Sequence, residues 1–300
     1  MVPFSPIRNA AKKVRLLLTP LPVSLAERAE QLDGEYTKDL QNDFRGDTEK
    51  FDADKRAFIQ EKSALEEERQ VRQIIIKEIR EHLHNNIEPG PWSDFDYDFS
   101  NAHFFYPIGF TNSYFSASSK FSGAIFTQNA DLSGVAFAER APFSKATFTC
   151  ARFSEAIFTK RAPFSEAIFT EYADFSGAQF VDNADFSGAN FFHSASFSET
   201  EFDTEPIFVN IQDIQWVKNY KARFSSKTDP EDYNFKVSDY SRCKIETEEQ
   251  EHNGVKFTIP KDAELFDPDN PSDRKATVTV TNYIYTQNDR LNFIATKKNR

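Results

Sequence analysis

The chain has 300 residues, with 47 acidic and 36 basic side chains giving a net charge of −11. That balance excludes general nucleic-acid binding, which needs clustered Lys and Arg to displace counterions from phosphates, and it leaves basic partners open. Cys150 and Cys243 match no metal-ligand spacing and no disulfide framework, so they read as reduced thiols of a cytoplasmic protein, and no window reaches the roughly 18 consecutive apolar residues of a membrane span.

Residues 1–23 form a basic amphipathic segment, with Ile7, Ala10, Ala11, Val14, Leu17 and Leu18 on one side of a potential helix and Arg8, Lys12, Lys13 and Arg15 on the other. Such a helix can touch a membrane peripherally, at the inner surface, through residues 7–18, or it can dock on the rest of the protein. Residues 24–90 are helical in character, starting from a Ser-x-x-Glu capping box at Ser24 and Glu27. Leu25, Leu32, Phe44, Phe51, Phe58 and Leu65 recur at or near multiples of seven, with Gly34 and Gly46 interrupting the run. A helical hairpin packed on itself satisfies that narrow stripe, and so does a coiled coil with a partner, a homo-oligomer included. From Trp92 to Phe99 aromatic and acidic residues alternate, as in a first strand. Asp94, Asp96 and Asp98 are spaced like the start of a calcium loop, but Phe99 stands where glycine is required.

Residues 91–212 hold a repeat. From Phe121 to Phe208 a large apolar residue recurs at alternating steps of five and six, through Phe126, Leu132, Phe137 and Phe143 to Phe197 and Phe202. Two residues before nearly every one stands a small residue, such as Ala124, Ala130, Ala141 and Ala146, with Val135 the main exception. Positions i−2 and i therefore share a face, which is the period of a strand. Strands this short, broken by a corner every few residues, must coil and pair with the layers above and below. In one copy the steps from Phe143 through Phe148 and Phe153 to Phe158 are all five, so that coil should lack one corner residue.

The unit Ala173-Asp174-Phe175-Ser176-Gly177, repeated from Ala184 to Gly188, resembles the A(D/N)LXX motif of the pentapeptide-repeat family, with Phe in place of the commoner Leu. The resemblance covers about a third of the chain and implies a bacterial protein with a right-handed quadrilateral β-helix, the central residue and the residue two before it pointing inward. Four sides give about 22 residues per coil, stacked at about 4.8 Å. Phe164, Phe186 and Phe208 should then form one column, and Phe153, Phe175 and Phe197 another. Gly123, Gly134, Gly177 and Gly188 occupy i+2, where a type II turn needs a positive φ, yet Lys145, Glu155, Glu166 and Glu199 hold the same place elsewhere. An inward change, Ala178→Leu, is expected to cost more than the outward change Asp185→Lys.

Residues 213–300 read as a capping helix around Trp216 and a small α+β module, with strand-like alternation at Lys256–Ile259, Ala276–Val280 and Leu291–Ile294. The fold class expected for the whole chain is therefore mainly β, a solenoid with an α-helical region before it and this module after it.

The search for chemistry yields little. His103 and His193 are isolated, and His82 and His84, two apart on a helix, point in different directions. No catalytic, metal or cofactor-binding residue is assigned, no cofactor is expected, and the protein reads as not an enzyme; paired acids of a β-helix glycan hydrolase are the formal alternative. Charge is more informative. Between Lys120 and Ser165 the array carries Lys120, Arg140, Lys145, Arg152, Lys160 and Arg161 against Asp131, Glu139 and Glu155. From Glu166 to Glu205 there is no Lys or Arg, and Glu166, Glu171, Asp174, Asp182, Asp185, Glu199, Glu201 and Asp203 form the candidate acidic binding surface, with Glu205 following. The function expected is a protein-binding scaffold whose partner the sequence does not identify. The resemblance also implies an alternative, an acidic mimic of DNA that modulates DNA gyrase, against which stands the basic first half.

Overall fold

A computed structural model describes residues 47–83, 88–210 and 220–270. The amphipathic segment with Arg8, Lys12, Lys13 and Arg15, the Ser24 capping box, the first arm of a helical hairpin, the helix around Trp216 and the strands after residue 276 lie outside the described residues.

The repeat folds as a four-sided β-helix of short parallel strands, most of them two residues long. Each side is marked by a column of inward rings. Side A carries Phe99, Phe121, Phe143, Phe164, Phe186 and Phe208; side B carries Phe104, Phe126, Phe148, Phe169, Phe191 and Phe224. Leu132, Phe153, Phe175, Phe197 and Phe235 mark side C, and Phe115, Phe137, Phe158, Phe180 and Phe202 mark side D. Rings in adjacent coils stack, from 4.7 Å between the centroids of Phe121 and Phe143 to 5.8 Å for Phe197 and Phe235, so both expected columns exist. Neighbouring columns meet edge to face, as at Phe153 and Phe164 with centroids 5.4 Å apart. Both geometries are favoured by the ring quadrupole. Between the rings sit the alanines, fully buried, because a tube this narrow has no room for two large residues per side. Thr200 takes one such small position, and its hydroxyl donates to the Phe175 carbonyl at 2.9 Å, which satisfies a buried polar group.

The alternation of five and six follows from two kinds of corner. The A-to-B and C-to-D corners are tight turns, closed by bonds such as Ala124 N–H to Phe121 O at 3.0 Å, with residue i+2 at positive φ in each copy from Phe99 to Phe197. The B-to-C and D-to-A corners take the additional residue. In the short coil that residue is missing between Phe148 and Cys150, and the register of strand Thr147–Arg152 shifts against both neighbours, between Phe126 and Asn129 and between Phe169 and Tyr172.

The sides differ in continuity. Strands on sides B and C merge into a ten-stranded sheet, and side D holds a five-stranded one. Side A is split into two two-stranded pieces, Tyr97–Asp98 with Ser119–Lys120 and Ala162–Pro163 with Ala184–Asp185. The cause is proline: Pro142 and Pro163 accept from Phe121 and Phe143 through their carbonyls but have no N–H to return to the coil below.

Both ends of the stack are covered. Helix α1 (Thr48–Leu83) begins at Asp47, whose carboxylate accepts the Lys50 N–H at 3.1 Å, and its last turns insert Ile76, Ile79 and Leu83 into the core. His82 stacks on Trp92 at 3.9 Å, and the chain reverses at Gly90, where a Cβ would lie 2.1 Å from the His82 carbonyl oxygen. At the other end the stack does not stop at Phe208. Arg223–Ser225 pairs in parallel with Asn190–Phe191, Tyr233–Asn234 with Ala195–Ser196, and Glu264–Phe266 with Arg223–Ser225. An antiparallel hairpin, Thr247–His252 with Val255–Pro260, inserts Phe257 and Ile259 into the core, so among the described residues this part is a strand module. Its Gln250 amide donates to Ala263 O at 2.9 Å and accepts from Leu265 N at 3.3 Å, blunting the last open strand.

Candidate binding surface

With the interior filled by rings and methyl groups, anything this array does chemically happens on its outward positions. Among the described residues no group of three or more His, Cys, Asp or Glu side chains could hold a metal ion. His103, the outward residue before Phe104, is buried beside α1 and lacks a partner for Nε2 among the described residues; burial first, then the Arg72 charge, hold its imidazole down at about 4. It is a buried neutral histidine of the N-terminal cap. A cleft of about 480 Å³ lies between the last side A residues, Glu205 to Val209, and the hairpin ends Lys244–Glu246 and Pro260–Asp262. Its cations are already partnered: Lys261 pairs with Glu246 at 3.1 Å, and the Lys244 ammonium donates to Ser238 O at 2.8 Å.

The acids of the C-terminal half lie around all four sides rather than on one face. Several serve the fold. Asp174 and Asp185 sit just before the central ring, and each carboxylate accepts the N–H of the serine just after it, at 2.9 Å for Ser176 and 3.1 Å for Ser187. Asp98 and Asp131 do the same for Ser100 and Ser133, at 3.1 Å in both cases. This is why the motif places Asp or Asn there: the short acceptor holds the turn that follows. Asp185 is only 5% exposed and also accepts from the Ser187 hydroxyl at 2.7 Å and from Arg161 of the preceding coil at 3.2 Å. It points outward but is not a neutral surface position, which corrects the contrast drawn between Asp185→Lys and Ala178→Leu. Glu166 pairs with Lys145 at 3.6 Å, and Asp203 with Arg242 at 3.4 Å.

What remains is a smaller set. Glu171, at the B-to-C corner, and Glu199, at the C-to-D corner, are exposed, as are Asp182 and Glu205 at the D-to-A corner, and none forms an ion pair among the described residues. Glu201, half-buried on side D, is likewise unpaired there. Beside Glu171 stands Tyr172, whose phenol is pushed up by partial burial and by the Asp174 charge. Sequence reasoning grouped all eight acids by sign alone; the residue two places on, a serine with a free N–H, was the signal that separated the turn-holding aspartates from the rest.

Stacked strands, ring columns and capped ends define a repeat solenoid of the β-helix class. Within it, residues 121–168 and 153–201 match the family model described as pentapeptide repeats, nine copies, and the array belongs to the pentapeptide-repeat family. No curated protein and no solved structure matches the chain. Among the described residues no helix is long and apolar enough to cross a membrane.

Proposed function

We propose that the protein is a non-enzymatic scaffold that binds a basic protein partner along the outward positions of its acidic half. The observation that carries this is the division of the acids. Four of the candidate positions are used by the fold or by neighbouring cations, while Glu171, Asp182, Glu199 and Glu205 are solvated and uncompensated at the corners. Corners recur at the strand spacing of about 4.8 Å and are held by a packed core, so a partner meets preorganised charges and loses little entropy in ordering them. Partner binding of this kind is steered by charge and weakens with salt.

Affinity capture with the full chain, followed by elution with rising salt, tests the reading. The expected outcome is a protein retained at low ionic strength and released as salt rises; retention indifferent to salt opposes it. A DNA-mimic role needs negative charge along most of the tube, whereas Lys145, Arg152 and Lys160 lie in the coil that begins at Phe143. The expected result of a supercoiling assay with purified gyrase is therefore no inhibition and no protection at micromolar protein.

A further inference from the structure

Side D is a continuous sheet whose first four strands carry no charged outward side chain. Its five strands run from Tyr114–Phe115 through Ala136–Phe137, Ile157–Phe158 and Gln179–Phe180 to Glu201–Phe202. Ile157 and Val181 project from the middle with 38% and 43% of their surfaces exposed. The loop from Ser238 to Cys243 closes the C-terminal end of this sheet, bonding Thr200 O and Phe202 O, and holds Tyr240 out at 88% exposure. Along the adjoining D-to-A corner Arg140, Lys160 and Arg161 precede and Asp182, Asp203 and Glu205 follow, with Glu139 an acid among the basic coils; Arg161 is held by Asp185 and Asp203 by Arg242. Lys160 and Asp182 hold equivalent places in consecutive coils, three residues beyond the paired Ile157 and Gln179.

We propose that side D pairs with side D of a second copy of this chain, antiparallel, about a two-fold axis that runs along the strands midway between Ile157–Phe158 and Gln179–Phe180. That axis keeps each corner against the same corner of the partner and reverses the order of the coils. Lys160 then faces the partner's Asp182, Arg140 faces the partner's Glu205, and each pair occurs twice, as an isologous interface requires. Thr159 and the partner's Val181 meet near the axis, and the exposed ring of Tyr240 reaches the opposite copy at the Tyr114 end. The self-complementarity of the corner is what selects a second copy over another protein: a heterologous partner has no reason to find the signs in this mirrored order. Five strands at about 4.8 Å give a face about 20 Å tall, and two-residue strands make it only about 7 Å wide, an area well below the roughly 800 Å² per partner of a standard interface, so the pairing is concentration-dependent. It shares Asp182 and Glu205 with the basic-partner reading, while Glu171, at the B-to-C corner, lies away from side D and stays accessible.

Sedimentation velocity of the full chain from micromolar to millimolar protein reads the association. The wild type is expected to dimerise reversibly, more weakly at high salt. Lys160→Glu alone places Glu against Asp182, and Asp182→Lys alone places Lys against Lys160, so each is expected to weaken dimerisation by about tenfold or more. An equimolar mixture of the two variants, each checked by circular dichroism for unchanged folding, restores opposite charges in the mixed dimer and is expected to associate as the wild type does. This rescue depends on the antiparallel register and is untouched by effects within one chain. A wild type that stays monomeric throughout, a dimer indifferent to both single changes, or a mixture that fails to recover overturns the proposal. Loss of captured foreign protein by both single variants, with the wild type monomeric, assigns the face to another partner and likewise overturns it.

Discussion

At each A-to-B and C-to-D corner from Phe99 to Phe197 the coil imposes a left-handed backbone whichever side chain is present. Gly177 has φ +67° and Glu155, stacked one coil away, φ +58°. For an L-residue this conformation costs roughly 1 kcal/mol, which glycine avoids. Glu155→Gly is therefore expected to raise stability by about 0.5–1 kcal/mol and Gly177→Ala to lower it by a similar amount, read as shifts in thermal or denaturant midpoint. The inward Phe and Ala positions were legible because a period of two reports direction. It does not report partners, which is why Asp185 read as a free surface charge. Asp185→Ala is expected to cost about 1–3 kcal/mol through the orphaned Ser187 N–H and Arg161. Gln179→Lys, at an exposed strand position, should stay within about 0.5 kcal/mol. Ala178→Leu, with no free volume around it, should exceed the glutamine change by about 1–3 kcal/mol in the same melts.

Among elements, the caps show how far periodicity carries. Helix α1 was expected from its charged, narrowly apolar pattern, and it starts just past Gly46, but its docking depends on a close approach no pattern encodes. Gly90→Ala drives a methyl into the His82 carbonyl and is expected to loosen the cap, visible as faster hydrogen exchange in α1. The units at Ala222-Arg223-Phe224 and Ala263-Glu264-Leu265 follow the repeat but lie beyond insertions that break its phase, so a search at fixed spacing passes over them. A local signal for the hairpin was present in Asn253-Gly254, both at positive φ. His103 gives the N-terminal cap a pH dependence. Its folded value, about 4, lies below its ordinary value, so the unfolded chain binds the proton more readily. The contribution is complete above about pH 6.5 and is lost as pH falls towards 4. Replacing His103 with Phe should flatten this limb relative to the wild type in denaturant titrations at pH 7, 5.5 and 4.5.

Over the whole molecule, the sequence carried the architecture further than the surface. Spacing alone places the columns, the missing corner residue and the reversal of charge, because each follows from the chain's own period. Which carboxylates remain free follows partly from local bonds to a serine two places on and partly from contacts between coils, as at Arg161 and Asp185, and the latter emerge only when the coil is closed. The account's central claim is that a solid, rigid tube presents a few uncompensated acids to a basic partner. The most direct measurement is quantitative affinity capture by full-length wild type, by Gln179→Lys, and by Glu171→Lys combined with Glu199→Lys, all with matched melting temperatures. The account predicts a protein retained by the first two and lost from the third; the same set retained by all three would contradict it.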